Sequence, residues 1–527
     1  MKKRIFKRLI GALLVLSVMA VLVLPLGAFA TEVNELTYGK LRYVVDGGEV
    51  AIIGTVGTVS GKLVIPSEIM GYPVTCISYG AFMDCTRLTE ISLPASIKKI
   101  ESAAFENCTE LKKVNVEDYV AWFEIDFGND ANPVAQTRSI CVNGLEVRFD
   151  SYIVLPYGVE RLGNYAFGGF DWLFEVHFPE TIKEIGDAAF SGCRSLWRIS
   201  IPDSVTKIGD AAFYACLRLD DVNLPSGLTE ISERMFGSCS NLSTVKLPDG
   251  ITTIGEMAFK DCTALRDITL PESVTTIDSC AFELCTSLTK LRLPDGLTSL
   301  GQFAFRQCSA LYEMTIPSGI TEIDAATFSD CSSLRSVTLP ETMKKIGRNA
   351  FFGCESLASI TLPDSVNDIG DNAFKGCIRL AGITVPSGVD AIGEAVFMDC
   401  IRLESASIPN SVRSIGNYAF KNCRMLDSII IPRKTERIGV DSFAGCDSLT
   451  IYTDNNATSA YRYATANGIS VALVEIENPD SLYPEPQAEN NPFPLWCLAP
   501  IGAGVVIIAV VLVLIIRRRR NAEPETW

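Results

Sequence analysis

The chain has 527 residues, 48% hydrophobic and 20% charged, which excludes both a disordered polymer and a polytopic membrane protein. Its formal net charge of −16 argues against a nucleic-acid partner, because phosphate contacts need a basic face. A single histidine, His177, removes most proton-transfer and metal chemistry, so no catalytic residue, metal or cofactor is expected.

Residues 1–30 read as a secretory signal peptide. Lys2, Lys3, Arg4, Lys7 and Arg8 form a basic start, and an apolar run extends from Leu9 to Leu26. Ala28-Phe29-Ala30 then supplies the small-x-small pattern that places cleavage before Thr31. Residues 31–81 are assigned to an N-terminal capping segment.

Beyond this segment one unit repeats. Phe82 and Phe105 are 23 residues apart, and from Phe167 to Phe443 a phenylalanine recurs at every twenty-third position. A fixed period in this range marks a solenoid, in which each unit buries its apolar face only against its neighbours. In the unit 190–212, Ile199 and Ile201 alternate around a short strand. Pro202 ends that strand, because proline cannot donate to a ladder. Val205 and Ile208 predict a second extended segment, Gly209 a corner, and Ala211-Ala212 a single helical turn that drops Phe213 into the core. The predicted fold is therefore a β-rich repeat solenoid of short parallel strands with helical turns, spanning 82–452, with coils about 4.8 Å apart.

Fourteen of the eighteen cysteines lie three residues after a marker phenylalanine, at Cys85, Cys108 and from Cys193 to Cys446 in steps of 23. Phe170 takes this place in the unit of Phe167, so the position is interior and a free thiol serves there as a small hydrophobe. Stacked side chains point the same way, which disfavours disulfides between coils, and no Cys-x-x-Cys suggests a metal. An inserted island at about 117–155 fills the gap between Phe105 and Phe167. A closing cap is assigned to 453–477.

Residues 478–497, rich in proline, asparagine and acid, read as an extended linker. Leu498 to Ile516 is an uninterrupted apolar stretch, long enough for one transmembrane helix. Arg517, Arg518, Arg519 and Arg520 follow as a stop-transfer cluster and place the tail 517–527 in the cytoplasm. The expected topology is a single pass through the plasma membrane with the repeats outside.

The pattern Cys-x-x-Leu-x-x-Ile-x-Leu-Pro-x-x-Val-x-x-Ile-Gly-x-x-Ala-Phe resembles the BspA-like leucine-rich repeat of the 23-residue class. The resemblance runs from Ile65 to about Val474. It takes in an opening segment at Ile65–Thr75, an island at Val120–Phe127 with Asn132-Pro133 and Val142-Asn143-Gly144, and a closing helix and strand at Ala460–Ile469. It implies a bacterial surface protein acting in adhesion or protein–protein recognition, with an extracellular protein or glycoprotein as ligand. No ligand-binding residue set carries over from the family.

In register, one residue of each first strand points outward: Ser200, Asn223, Lys246, Thr269, Arg292, Thr315, Thr338, Thr361, Thr384 and Ser407. Such a column is either a solvated β surface or an extended contact face. Arg198 stands two positions before Ser200, and the aromatics Trp172, Trp197 and Tyr312 are the expected anchors, with packing on the neighbouring coil the equal alternative for Trp172 and Trp197. The candidate face is therefore Trp197, Arg198, Lys246, Thr269, Arg292, Tyr312, Thr315, Thr338, Thr361 and Thr384. Two alternatives stand beside recognition: a passive envelope stalk, and a surface hydrolase using carboxylates of the island from Glu117 to Leu155. His177 falls on an outward strand position with no second histidine to work with.

Overall fold

In the computed structural model the described residues, 35–474, fall into two units: 35–118 with 127–147, and 119–126 with 148–474. The predicted signal 1–30, the linker 478–497, the span 498–516 and Arg517 to Arg520 lie outside the described residues. Among the described residues no helix is long and apolar enough to cross a membrane.

The first unit opens with strands Leu36–Tyr38, Leu41–Asp46 and Glu49–Thr55, paired antiparallel. Gly47 and Gly48, at φ +57° and +83°, form the two-residue turn that joins the longer pair. Leu41, Tyr43, Val50 and Ile52 alternate into the core as strand pleating requires. Pairing then becomes parallel, from Glu49–Thr55 to Tyr72–Ile77 and on to Lys99–Ile100. A second parallel ladder runs through Ser60–Val64, Arg87–Leu93, Lys113–Val116 and Ser139–Val142. Phe82 and Phe105 stack with ring centroids 5.5 Å apart.

In the second unit most coils carry two very short strands, while those around Arg292 and Thr361 carry only the second. Arg198–Ser200 pairs parallel with Asp221–Asn223, and Glu184–Ile185 with Lys207–Ile208, each residue opposite the one 23 further on. The marker phenylalanines form one stack from Phe167 to Phe443, with neighbouring centroids 5.2–5.7 Å apart. Offset stacking of this kind adds to simple burial.

The predicted helical turn before each phenylalanine does not form in these coils. Ala211 and Ala215, at φ +54° and +57°, are left-handed, and so are the equivalent residues from Tyr165 to Asp441 and from Gly169 to Gly445. The physical reason lies in where the amides go. Ala211, Phe213 and Ala215 donate to Glu233, Met235 and Gly237 of the following coil, while Tyr214 and Cys216 donate back to Ala211 and Phe213. A helix would keep all these donors inside one coil, whereas the observed corner spends alternate ones on a third ladder between coils.

The cysteine column is buried as expected from Cys108 to Cys446, Cys85 is half-buried, and all described cysteines are free. The thiols do more than fill space. Cys216 Sγ donates to the Phe190 carbonyl of the preceding coil at 3.2 Å, and the same bond recurs through Cys446 and Phe420 at 3.1 Å. Phe190 O also accepts the Cys193 amide, so the thiol satisfies its second lone pair. Burial pushes the Cys239 thiol up to about 12.

Both ends of this unit are closed. The helix Tyr119–Glu124 buries Trp122 and Phe123, and the Phe123 ring lies 5.8 Å from Phe167, extending the aromatic stack by one. A Cβ on Gly163 would stand 1.9 Å from Ile125 O, so only glycine admits this approach. At the other end the helix Ser459–Ala466 is capped by Thr458, whose hydroxyl accepts the Tyr461 amide. Tyr463 sets its ring edge-on to Phe443 at 5.9 Å, and strand Ser470–Leu473 pairs with Thr450–Thr453.

Candidate functional site

The first strand of each coil is too short to bury both faces, so its central residue points inward and the flanking two point out. Ile199 is buried, while Arg198 and Ser200 are exposed. This places Lys246 opposite Thr269, Thr315 opposite Thr338, and Thr384 opposite Ser407 on one outward column. Thr361 is exposed in a coil whose first segment is not strand. All ten candidate residues are exposed, and they do not form one site.

Trp197 and Arg198 are brought together with a residue that sequence reasoning passed over, Phe174. The Phe174 and Trp197 rings lie 5.6 Å apart on adjacent coils, and the Trp197 amide donates to the Phe174 carbonyl. The Arg198 guanidinium sits 5.5 Å from the Trp197 ring centroid and donates from Nε to Asp221 at 2.7 Å. Both aromatics remain open to solvent, Phe174 at 40% and Trp197 at 37%. Tyr152 and Val154, exposed at 57% and 59%, continue the column one coil earlier, opposite Glu175 and His177. His177 Nε2 lies 3.8 Å from Glu175 Oε1. The platform thus carries two stacked aromatics, an exposed tyrosine and a fixed arginine, flanked by carboxylates.

The signal that would have found Phe174, Tyr152 and Val154 was present in the period. Phe174 is 23 residues before Trp197, and Tyr152 and Val154 are 23 before Glu175 and His177. Tyr152 and Val154 fall within the span read as an inserted island, whereas Phe174 lies beyond it, in the regular coil of Phe167.

The remaining candidates stand apart from this platform. Tyr312 lies five coils beyond Trp197 on the same ladder, its amide bonded to Thr289 O. Arg292 is held by Glu272 and, at 3.3 Å, by Asp295, so its charge is answered locally. Trp172 rests against Phe170, with centroids 5.1 Å apart.

The island carboxylates take structural roles. Asp126 accepts from Arg161 at 2.7 Å and from the Asn164 amide, and Glu124 accepts from the Glu160 amide. A groove of about 400 Å³ lies on other coils, lined by Asp210, Glu230, Glu233, Glu256 and Asp278. Burial, with repulsion from Asp187 and Glu233, pushes the Asp210 carboxyl up, and burial does the same at Asp278. Among the described residues no group of three or more His, Cys, Asp or Glu side chains is placed to hold a metal ion.

The chain matches the model of the BspA type leucine rich repeat region over residues 64–126, 149–266, 229–358 and 344–471. Among solved structures it is similar to a leucine-rich repeat protein from Bacteroides ovatus, at 27% identity and a TM-score of 0.51, over 79% of this chain and 98% of that one. It is also similar to a leucine rich cell surface protein from Faecalibacterium prausnitzii, at 25% identity and a TM-score of 0.41, over 71% and 94% of the two chains. No curated protein matches it. With a family match over most of its length and coils of 23 residues stacked in parallel register, the chain belongs to the BspA-type leucine-rich repeat family.

Proposed function

We propose that this protein is a recognition protein of the bacterial cell surface, held by the span 498–516 with its repeats outside, and that it binds a protein or glycoprotein ligand in adhesion. The observation that carries the reading is the Phe174–Trp197–Arg198 platform. Aromatic and arginine side chains dominate the energetics of protein interfaces, and here they sit exposed on rigid ladder positions, so little ordering entropy opposes docking. Arg198, held by Asp221, braces a ring that solvent still reaches.

Binding of the purified full chain to extracellular-matrix proteins, mucins and bacterial surface fractions tests the proposal. A saturable ligand is expected, weakened at least tenfold, about 1.4 kcal/mol or more, by Trp197→Ala. A ligand unaffected by Trp197→Ala and Arg198→Ala would move recognition off this face, and no ligand on any panel would leave a passive stalk. Anchoring has its own test. Deletion of residues 478–527 is expected to release the repeats into the medium, and retention would disprove the anchor.

A further inference from the structure

Several cations on the coils of the second unit are answered by an acid one coil away. Lys183 meets Glu160, Arg198 meets Asp221, Lys207 meets Glu184, Lys345 meets Asp368 and Arg413 meets Glu436. In a chain with 62 acidic and 46 basic residues this pairing is easily supplied. One corner gathers, on consecutive coils, arginines without such a partner among the described residues. Just after the buried cysteine, three consecutive coils present Ile378 and Arg379, then Ile401 and Arg402, then Arg424 and Met425.

These residues form one surface. The Arg402 amide donates to Ile378 O and the Met425 amide to Ile401 O, both at 3.2 Å, so the side chains stack at ladder spacing. Arg379, Arg402 and Arg424 are all exposed, and none has an ion pair or side-chain hydrogen bond among the described residues. Glu355 and Asp447 occupy the same ladder position one coil before and one coil after, and neither reaches an arginine within ion-pair distance. Arg379 and Arg402, at equivalent positions on adjacent coils, repel each other, so this corner favours an anionic partner. Between the guanidinium groups stand Ile401 and Met425, exposed at 38% and 45%.

We propose that this corner is a docking surface for an acidic peptide segment of a partner protein that also carries aliphatic side chains. The guanidinium fork matches carboxylates two oxygens at a time, which fixes the charged half of the ligand. The interleaved isoleucine and methionine fix the other half, because a bare polyanion gains nothing from them. The surface is separate from the Phe174–Trp197 platform and does not depend on its ligand.

The test is fluorescence anisotropy of the purified full chain with a labelled nonapeptide in which glutamate or aspartate alternates with leucine. Saturable micromolar binding at low salt is expected, falling at least tenfold in the Arg379→Glu, Arg402→Glu, Arg424→Glu variant. The corresponding Arg→Lys variant keeps the charge, loses the fork, and is expected to bind about threefold more weakly. Ile401→Ser with Met425→Ser is expected to cost about threefold at unchanged charge. Absence of saturable binding, or binding that survives charge reversal, would overturn the proposal. So would equal affinity for a peptide with serine in place of leucine or for inorganic polyphosphate, which would mark a simple anion surface. Concentration-dependent self-association of the full chain that disappears on charge reversal, without peptide binding, would assign the corner to a second copy instead.

Discussion

The two units solve the same problem, ordering short strands, by different means. In residues 35–118 and 127–147, strands of six and seven residues such as Leu41–Asp46 and Glu49–Thr55 pair through tight turns, so their first contacts are local. In residues 148–474 strands of two or three residues pair across 23 positions. Strands that short have no stability of their own. Order there comes instead from columns running through the coils: the phenylalanine stack, the thiol-to-carbonyl bonds and the corner amides that reach the following coil. Where local structure is weak, repetition of a side chain at one register position replaces strand length.

The largest expected effect separates the units by alkali. Burial pushes up the ten column thiols from Cys193 to Cys400 and also Cys280, against three in the first unit, Cys76, Cys85 and Cys108. The folded coils therefore hold protons that the unfolded chain releases above the ordinary thiol value of 9.0. Stability is fully present below that value and is lost as pH rises from it towards about 12, by about 1.4 kcal/mol per pH unit for each fully buried thiol. The urea midpoint of the second unit, followed by Trp197 fluorescence under reducing conditions, should fall steeply between pH 8 and pH 10. A midpoint constant over that range would show that the thiol column is not sealed.

Next in size is the aromatic stack. Phe282 is fully buried between Phe259 and Phe305, whereas Phe82 stacks on Phe105. Phe282→Ala is expected to cost about 3–5 kcal/mol in chemical denaturation. Phe82→Ala should cost about 1 kcal/mol less, the worth of one aromatic pair. Equal costs would mean that stacking beyond the nearest neighbour carries no weight.

Much of this was legible in the sequence, and the exceptions share a cause. The period, the interior cysteine position and the prolines that end strands each depend on side-chain type at a fixed spacing, and the coils bear them out at Phe282, Cys285 and Pro202. The left-handed corner two residues before each phenylalanine was invisible because residue type does not mark it, whereas the one two residues after carries Gly169, Gly192, Gly353, Gly376 and Gly445. Ala211, Arg234, Met257, Phe303 and Tyr418 all take positive φ at one register position, and glycine serves at none of its thirteen occurrences from Tyr165 to Asp441. The conformation is imposed by amides bonding to the next coil, a contact between residues about 22 apart that local propensity does not encode. The platform was half legible for a similar reason: Trp197 stood out as a large aromatic, but Phe174 matters only because the ladder sets it beside Trp197.

The smallest effect tests what the thiol adds to a column that also works by filling space. Cys285 Sγ donates to Phe259 O at 3.2 Å, and the same carbonyl accepts the Cys262 amide. Removing the thiol donor therefore leaves the carbonyl bonded once, which keeps the penalty well below that of an orphaned acceptor. Phe170 shows the chain itself tolerating this position without a donor. Cys285→Val is accordingly expected to cost about 1 kcal/mol, with no change in the urea dependence of unfolding. A cost of 3 kcal/mol or more would mean that the thiol bonds act together along the column. A cost near zero would reduce the cysteines to their volume and leave the phenylalanine stack as the chief tie between coils.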